Sequence, residues 1–224
     1  MIRALALAAL LQAAPGKKPP DALNLMLKKG ELLLEDSFTA ESWGSKDWNK
    51  YKGKWEIVGD QLKVAEVASD AHHPAVSRKA ELNCAVIQFK FKFDGAGWLG
   101  FSFDGKEHVA RCMMRPDAFQ VVRMSGIGGT TKGETIDEKK VKLADGAWHT
   151  IVIEIGGKEM LAQIDNTHFI FGEKAGVETD KTRFEFISGG QFAWFDDLKI
   201  WKAEPDPKWA QKKQLLIAQT KKRS

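Results

Sequence analysis

Tyrosine and cysteine are nearly missing from this chain, with one Tyr and two Cys in 224 residues. Two cysteines cannot make the disulfide framework of a small secreted scaffold, nor a cysteine-built zinc site. Cys84 and Cys112 carry no spacing signature, so they read as two buried thiols at least as well as a bridge. Long apolar runs are lacking too. The leading one, Ala4 to Leu11, is far short of the roughly 20 residues that a membrane-spanning helix takes, so no stable membrane insertion is expected. Positive charge is not gathered in one place: the net charge is +4, and apart from Lys221-Lys222-Arg223 the basic side chains are spread along the chain. A nucleic-acid module concentrates them on one face within a recognisable motif, so no nucleic acid is expected as a partner.

What is abundant is the other aromatic residues, eight Trp and thirteen Phe, a bias toward strands. The length accommodates one large β domain with tails and a core that needs no disulfide.

One positive charge, Arg3, precedes the apolar run, and Ala13 and Ala14 offer a cleavage site. Residues 1–14 therefore read as a signal peptide, which implies a periplasmic or secreted protein. An apolar N-terminal helix that stays attached is the alternative. Residues 15–30 read as a polar linker, 31–203 as the β domain, and 204–224 as a basic helical tail. In that tail Asp206 suits a helix cap and Pro207 the first helical position. Trp209 and Leu216 would pack the tail back on the domain, or the helix would serve a partner.

Between Glu31 and Lys202, short apolar runs alternate with turn signals every eight to twelve residues, the spacing of an all-β sandwich or barrel. Ile87-Gln-Phe-Lys-Phe-Lys-Phe93 alternates strictly between core and water. Gly59-Asp60 predicts a tight two-residue hairpin turn between Trp55–Val58 and Gln61–Val64. Residues 125–139 are polar and Gly- and Thr-rich and read as a long loop.

Asp145-Gly-Ala-Trp-His-Thr-Ile-Val-Ile-Glu-Ile155, followed by Gly156-Gly-Lys-Glu-Met-Leu-Ala-Gln-Ile-Asp165, resembles the laminin-G-like pattern of turn, Trp-His, strand, turn and strand. Phe195-Asp-Asp-Leu-Lys-Ile-Trp201 resembles the closing strand of those domains. Leu34-Glu-Asp-Ser-Phe38, Trp43 and Gly53-Lys-Trp-Glu-Ile-Val-Gly-Asp-Gln-Leu62 are similar to the start of 3-keto-disaccharide hydrolase domains. Together these stretches span about 33–203 and imply an antiparallel β-sandwich jelly roll of the concanavalin A-like kind. Fold does not fix function.

The resemblance implies two kinds of site. Glucanases of this fold carry three carboxylates at alternating positions of one strand, so that all three enter the cleft. The nearest approach here, Glu178-Thr-Asp180, lacks the third, so that mechanism has no home on one strand, though carboxylates of separate strands can still meet. Many members also hold a structural Ca²⁺ between the first and last strands, where Glu35, Asp36, Asp196 and Asp197 stand, with Asp36 and Asp196 as the expected metal ligands. Backbone N–H groups or Lys199 would compensate these carboxylates equally.

From the residues themselves, Trp98 is the leading ligand candidate. Leu99, Phe101 and Phe103 share one face of its strand, leaving Trp98, Gly100 and Ser102 on the other. A Trp beside small residues makes a shallow depression against which the apolar face of a sugar stacks. His108 or Arg111 on the next strand would supply hydrogen bonds. Trp43 and Trp48, in a polar loop with Asn49 and Tyr51, are further ligand candidates, and His72 of His72-His73-Pro74 is a sugar or metal contact. His149 shares a face with Ile151 and Ile153 and reads as structural. The expected function is an exported carbohydrate- or partner-binding β-sandwich taking a glycan or small saccharide. The alternative is a glycoside hydrolase or lyase of the 3-keto-disaccharide hydrolase type acting on modified disaccharides, working through His72, His108, Arg111 and Arg115.

Overall fold

The computed structural model describes residues 25–221; the expected signal peptide, 1–14, and residues 15–24 of the expected linker lie outside them. Among the described residues the strands are β1 (Leu27–Asp36), β2 (Asn49–Lys52), β3 (Lys54–Ile57), β4 (Leu62–Ala65), β5 (Ala75–Lys79), β6 (Cys84–Asp104) and β7 (His108–Met114). They continue with β8 (Ala118–Ser125), β9 (Lys132–Lys140), β10 (Trp148–Gly156), β11 (Glu159–Ile164), β12 (His168–Glu173) and β13 (Arg183–Pro205). A short helix, α1 (Ala40–Gly44), follows β1, and α2 (Trp209–Lys221) follows β13. No described helix is long and apolar enough to cross a membrane.

All the strand pairs are antiparallel and hydrogen-bonded into one continuous sheet. The sheet nevertheless makes two layers, because its two longest strands fold over. Phe89 and Phe101 both belong to β6 and would be about 40 Å apart if it ran straight. Their rings stack at 5.6 Å. Phe186 and Phe195 of β13 approach to 4.4 Å in the same way. The back layer is therefore β12-β11-β10-β6-β13, with β1 and β4-β3 side by side along the far edge of β13, built on the first half of β6 and the second half of β13. The front layer is β9-β8-β7-β6-β13-β5-β2, built on the other halves. This is a concanavalin A-like jelly-roll sandwich.

The fold-over falls where β6 and β13 carry facing glycines. Gly190 has φ +105°, and a Cβ there would lie 2.8 Å from the backbone nitrogen of Gly97. Only glycine allows both the dihedral and the approach. Period-two alternation then fills the interior with Phe89, Phe91, Phe101, Phe184, Phe186, Phe195, Ile151 and Ile153, all fully buried. Gly59-Asp60 and Asp165-Asn166 have positive φ at both residues, the left-handed geometry that matches strand twist in tight hairpins.

The outer face of the back layer is covered. Trp209 of α2 packs with Met26, Leu27, Val86, Val152 and Leu161, and Leu216 joins them. Trp209 Nε1 donates to Glu159 at 3.0 Å. The fully buried Glu154 accepts the backbone N–H groups of Leu25, Met26 and Leu27 at 2.8, 2.9 and 2.6 Å, which fastens the entering chain to the same face. The tail thus packs back through the two side chains expected to do so.

Three boundaries differ from the sequence reading. β1 starts at Leu27, inside the expected linker, and β13 reaches Pro205 rather than ending at 203. The expected loop 125–139 is mostly β9. This strand is polar along both faces because it lies at the sheet edge, where charged side chains discourage pairing with other chains. Cys84 and Cys112 are both free.

Candidate functional site

The outer face of the front layer is open and differs chemically from the interior behind it. Behind it lie Phe101, Phe103, Phe184 and Phe186; alternation sends Ser102, Asp104, Arg183 and Glu185 to the other side. Register places Ser102 opposite Arg111 on β7 and opposite Glu185 on β13, and Glu185 opposite Ser77 on β5. Gly100, Ser102 and Ser77 form a low, buried floor beneath the longer side chains.

Within this face the charges are tied together. Arg111 Nε donates to Ser102 Oγ at 2.8 Å, and His108 Nδ1 lies 2.7 Å from Asp104 Oδ1. Arg183 Nε sits between two carboxylates, 3.8 Å from Asp104 Oδ2 and 3.6 Å from Glu185 Oε1. The hydrogen bond to Asp104 holds the His108 imidazole above its ordinary range, favouring its charged form. Burial, then the Asp104 charge, raises the Glu185 carboxyl above the ordinary carboxylate range. Burial lowers Arg111, whose guanidinium is short of water and so well placed to bond a ligand.

Aromatic rings border one end of the face. Trp98 lies over Gly189, where a Cβ would come within 2.3 Å of its Nε1. His73 meets Trp98 edge-on at 4.7 Å, and His72 meets the exposed Tyr51 at 5.5 Å. Toward β2 the face deepens into a groove of about 820 Å³, with Arg183, Glu185, Ser77, Lys79, Asn49 and Tyr51 among its lining residues.

The structure brings Trp98, His108 and Arg111 to this one face, with His72 at its rim. It does not bring Trp43 and Trp48 there. Both are buried in the core, tilted against each other at 5.6 Å, with Trp48 edge-on to Phe184 at 5.7 Å. Their polar loop folds inward because Asp36 draws it, accepting from Trp48 Nε1 at 3.0 Å, Ser42 Oγ at 2.7 Å, Phe38 N at 2.8 Å and Arg78 Nη1 at 3.2 Å. Those four donors already satisfy Asp36, one of the two carboxylates expected as Ca²⁺ ligands. Asp196 follows the inward Phe195 and so lies on the other face, where a bulge with Asp197 at φ +49° turns the acidic pair. Arg115 stands at the β7–β8 turn, 3.9 Å from Glu138, away from the cluster.

Asp104, Glu185 and Arg183 escaped the sequence reading. Asp104 and Glu185 come from strands far apart in the chain, so no single-strand motif contains them. The legible signal was a polar residue beside inward phenylalanines, in Phe101-Ser-Phe-Asp104 and Phe184-Glu185-Phe186.

No protein-family model matches the chain, and no curated protein matches it by sequence. Its fold is similar to several solved structures. The carbohydrate-binding module CBM66 from Bacillus subtilis superposes with a TM-score of 0.57 at 12% identity, over 70% of this chain and 97% of that one. The laminarinase from Flavobacterium sp. UMI-01 gives 0.56 at 12% identity over 76% and 100%. The Bacillus licheniformis β-glucanase gives 0.54 at 10% identity over 78% and 99%. At such identities the likeness is one of fold.

Proposed function

We propose that the protein is an extracytoplasmic glycan-binding β-sandwich whose ligand lies on the outer face of the front layer. One observation carries this reading: Trp98 stands at one end of a face whose low floor of Gly100, Ser102 and Ser77 lies beneath Arg111 and Glu185 and opens into a groove. Sugars are held by this pairing of an aromatic face for C–H surfaces with fixed donors and acceptors for hydroxyls. The fold's occurrence in a carbohydrate-binding module, a laminarinase and a β-glucanase supports the ligand class, and the reading of residues 1–14 as a signal peptide supports the location. Titrating the protein with β-glucan and galactose-containing oligosaccharides, followed by calorimetry, tests the reading. Saturable binding weakened roughly 10-fold or more by Arg111→Ala is expected, the loss that removing a charged hydrogen bond brings. Absence of binding across the panel, or binding indifferent to Arg111→Ala and Trp98→Ala, contradicts it.

A second reading, a hydrolase or lyase of modified disaccharides, draws on the meeting of Asp104, His108 and Glu185. Two carboxyl groups with different environments are what acid–base cleavage of a glycosidic bond requires. Asp104 is fully buried, which removes it from contact with a sugar and favours binding over cleavage. Product release from the same oligosaccharides, abolished by Glu185→Gln with binding retained, would reverse that preference.

A further inference from the structure

We propose that Asp104, His108 and Glu185 form a binding site for a divalent transition-metal ion on the open face of the front layer. Each of these residues offers a ligand atom, and the three atoms lie within 4.8 Å of one another. They come from three adjacent strands, or their ends: β6 supplies Asp104, β7 His108 and β13 Glu185. A rigid sheet scaffold of this kind fixes ligand spacing better than a loop does.

A second observation points independently to a missing partner. Asp104 has no exposed surface, and among the described residues its Oδ2 has no hydrogen-bond partner. A buried carboxylate oxygen left unbonded is costly. Its companion Oδ1 is satisfied by His108, and Oδ2 turns instead toward Arg183 and Glu185. Arg183 does not meet the need. Its Nε stands 3.8 Å from Asp104 and 3.6 Å from Glu185, beyond hydrogen-bond reach of both, and is itself a buried unpaired donor. Arg111 is committed to Ser102. A doubly charged ion at about 2 Å from each ligand atom outcompetes a singly charged guanidinium at these distances, and the Arg183 side chain, 38% exposed, has the groove to swing into.

The donor set selects the class of ion. Two carboxylates and an imidazole suit Zn²⁺ or Mn²⁺, whereas Ca²⁺ asks for six to eight oxygens. Three protein ligands leave coordination positions open toward the groove, the arrangement of sites that also touch a ligand. The inference rests on the packing of three side chains and stands whether or not the face takes a glycan.

The test uses the full chain dialysed against chelator and titrated by calorimetry with Zn²⁺, Mn²⁺, Ca²⁺ or Mg²⁺ alone. One equivalent of Zn²⁺ or Mn²⁺ is expected to bind with micromolar or tighter affinity, weakened at least 10-fold in Glu185→Gln and in His108→Ala. Glu185 is partly exposed, so its variant folds even if Asp104→Asn does not. Failure to saturate below millimolar metal, affinity unchanged in both variants, or preference for Ca²⁺ over Zn²⁺ and Mn²⁺ overturns the proposal.

Discussion

Lys181 has no exposed surface, and its ammonium is held by the carbonyls of Val177 and Thr179 at 2.7 and 2.8 Å. Burial lowers its pKa to about 8, well below the ordinary lysine value of 10.5. Below pH 8 both native and unfolded chains hold this proton, and the native state bears the cost of a buried charge. As pH rises from about 8 to 10.5 the unfolded chain binds more protons at this site, so Lys181 contributes up to roughly 3 kcal/mol of rising stability. Unfolding free energies of the wild type and Lys181→Met, compared from pH 7 to 10.5, should differ by this rise; parallel curves would refute it. Both proteins share the opposing contribution of Cys112, whose thiol burial pushes up. Trp98, which itself meets His73, differs from the other tryptophans in its place on the open face. Trp43, Trp48 and Trp55 pack with the core, Lys92 lies over both Trp148 and Trp194, Lys29 lies over Trp201, and Trp209 meets Phe171 at 5.9 Å. Sequence pattern placed Trp98 beside small residues, because alternation along one strand is local information. It misjudged Trp43 and Trp48, because the Asp36 anchor that turns their loop inward is a tertiary contact.

At the scale of elements, the sandwich depends on β6 and β13 turning together from one layer into the other. Alternation at Phe89, Phe91 and Ile151, and the Gly59-Asp60 hairpin turn, were legible in the sequence because each is set within a few residues. The fold-over was not, since it needs Gly190 of one strand against Gly97 of another. Gly190→Ala should therefore cost at least about 2 kcal/mol, through a left-handed φ and a clash with backbone. Gly146→Ala is a control, having positive φ but open space around its Cβ, and should cost only the dihedral strain. Chemical denaturation of both variants decides the matter; equal losses would mean that the close approach of the two strands is unimportant. The approach of Asp104 to Glu185 was hidden for the same reason as the glycine contact, because it crosses from β6 to β13.

For the whole molecule, the two layers have divided the work. The back layer spends its outer surface on structure, covered by α2 through Trp209 and by the chain entering at Leu25 to Leu27. Removing that cover should destabilise without touching ligand recognition: Trp209→Ala is expected to cost about 3 kcal/mol in unfolding free energy, in the range of large-to-small aromatic replacements. Equal loss of glycan affinity would argue against the division. The front layer keeps its outer surface open and polar, with Trp98 at one end and the groove at the other. The most direct measurement is a two-dimensional amide and indole NMR titration of the full chain with whichever oligosaccharide binds most tightly. The account predicts shifts concentrated at the Trp98 indole and at Ser102, Arg111, Glu185 and Ser77. Shifts centred instead on β10, β11 and α2 would place recognition on the back layer and contradict it.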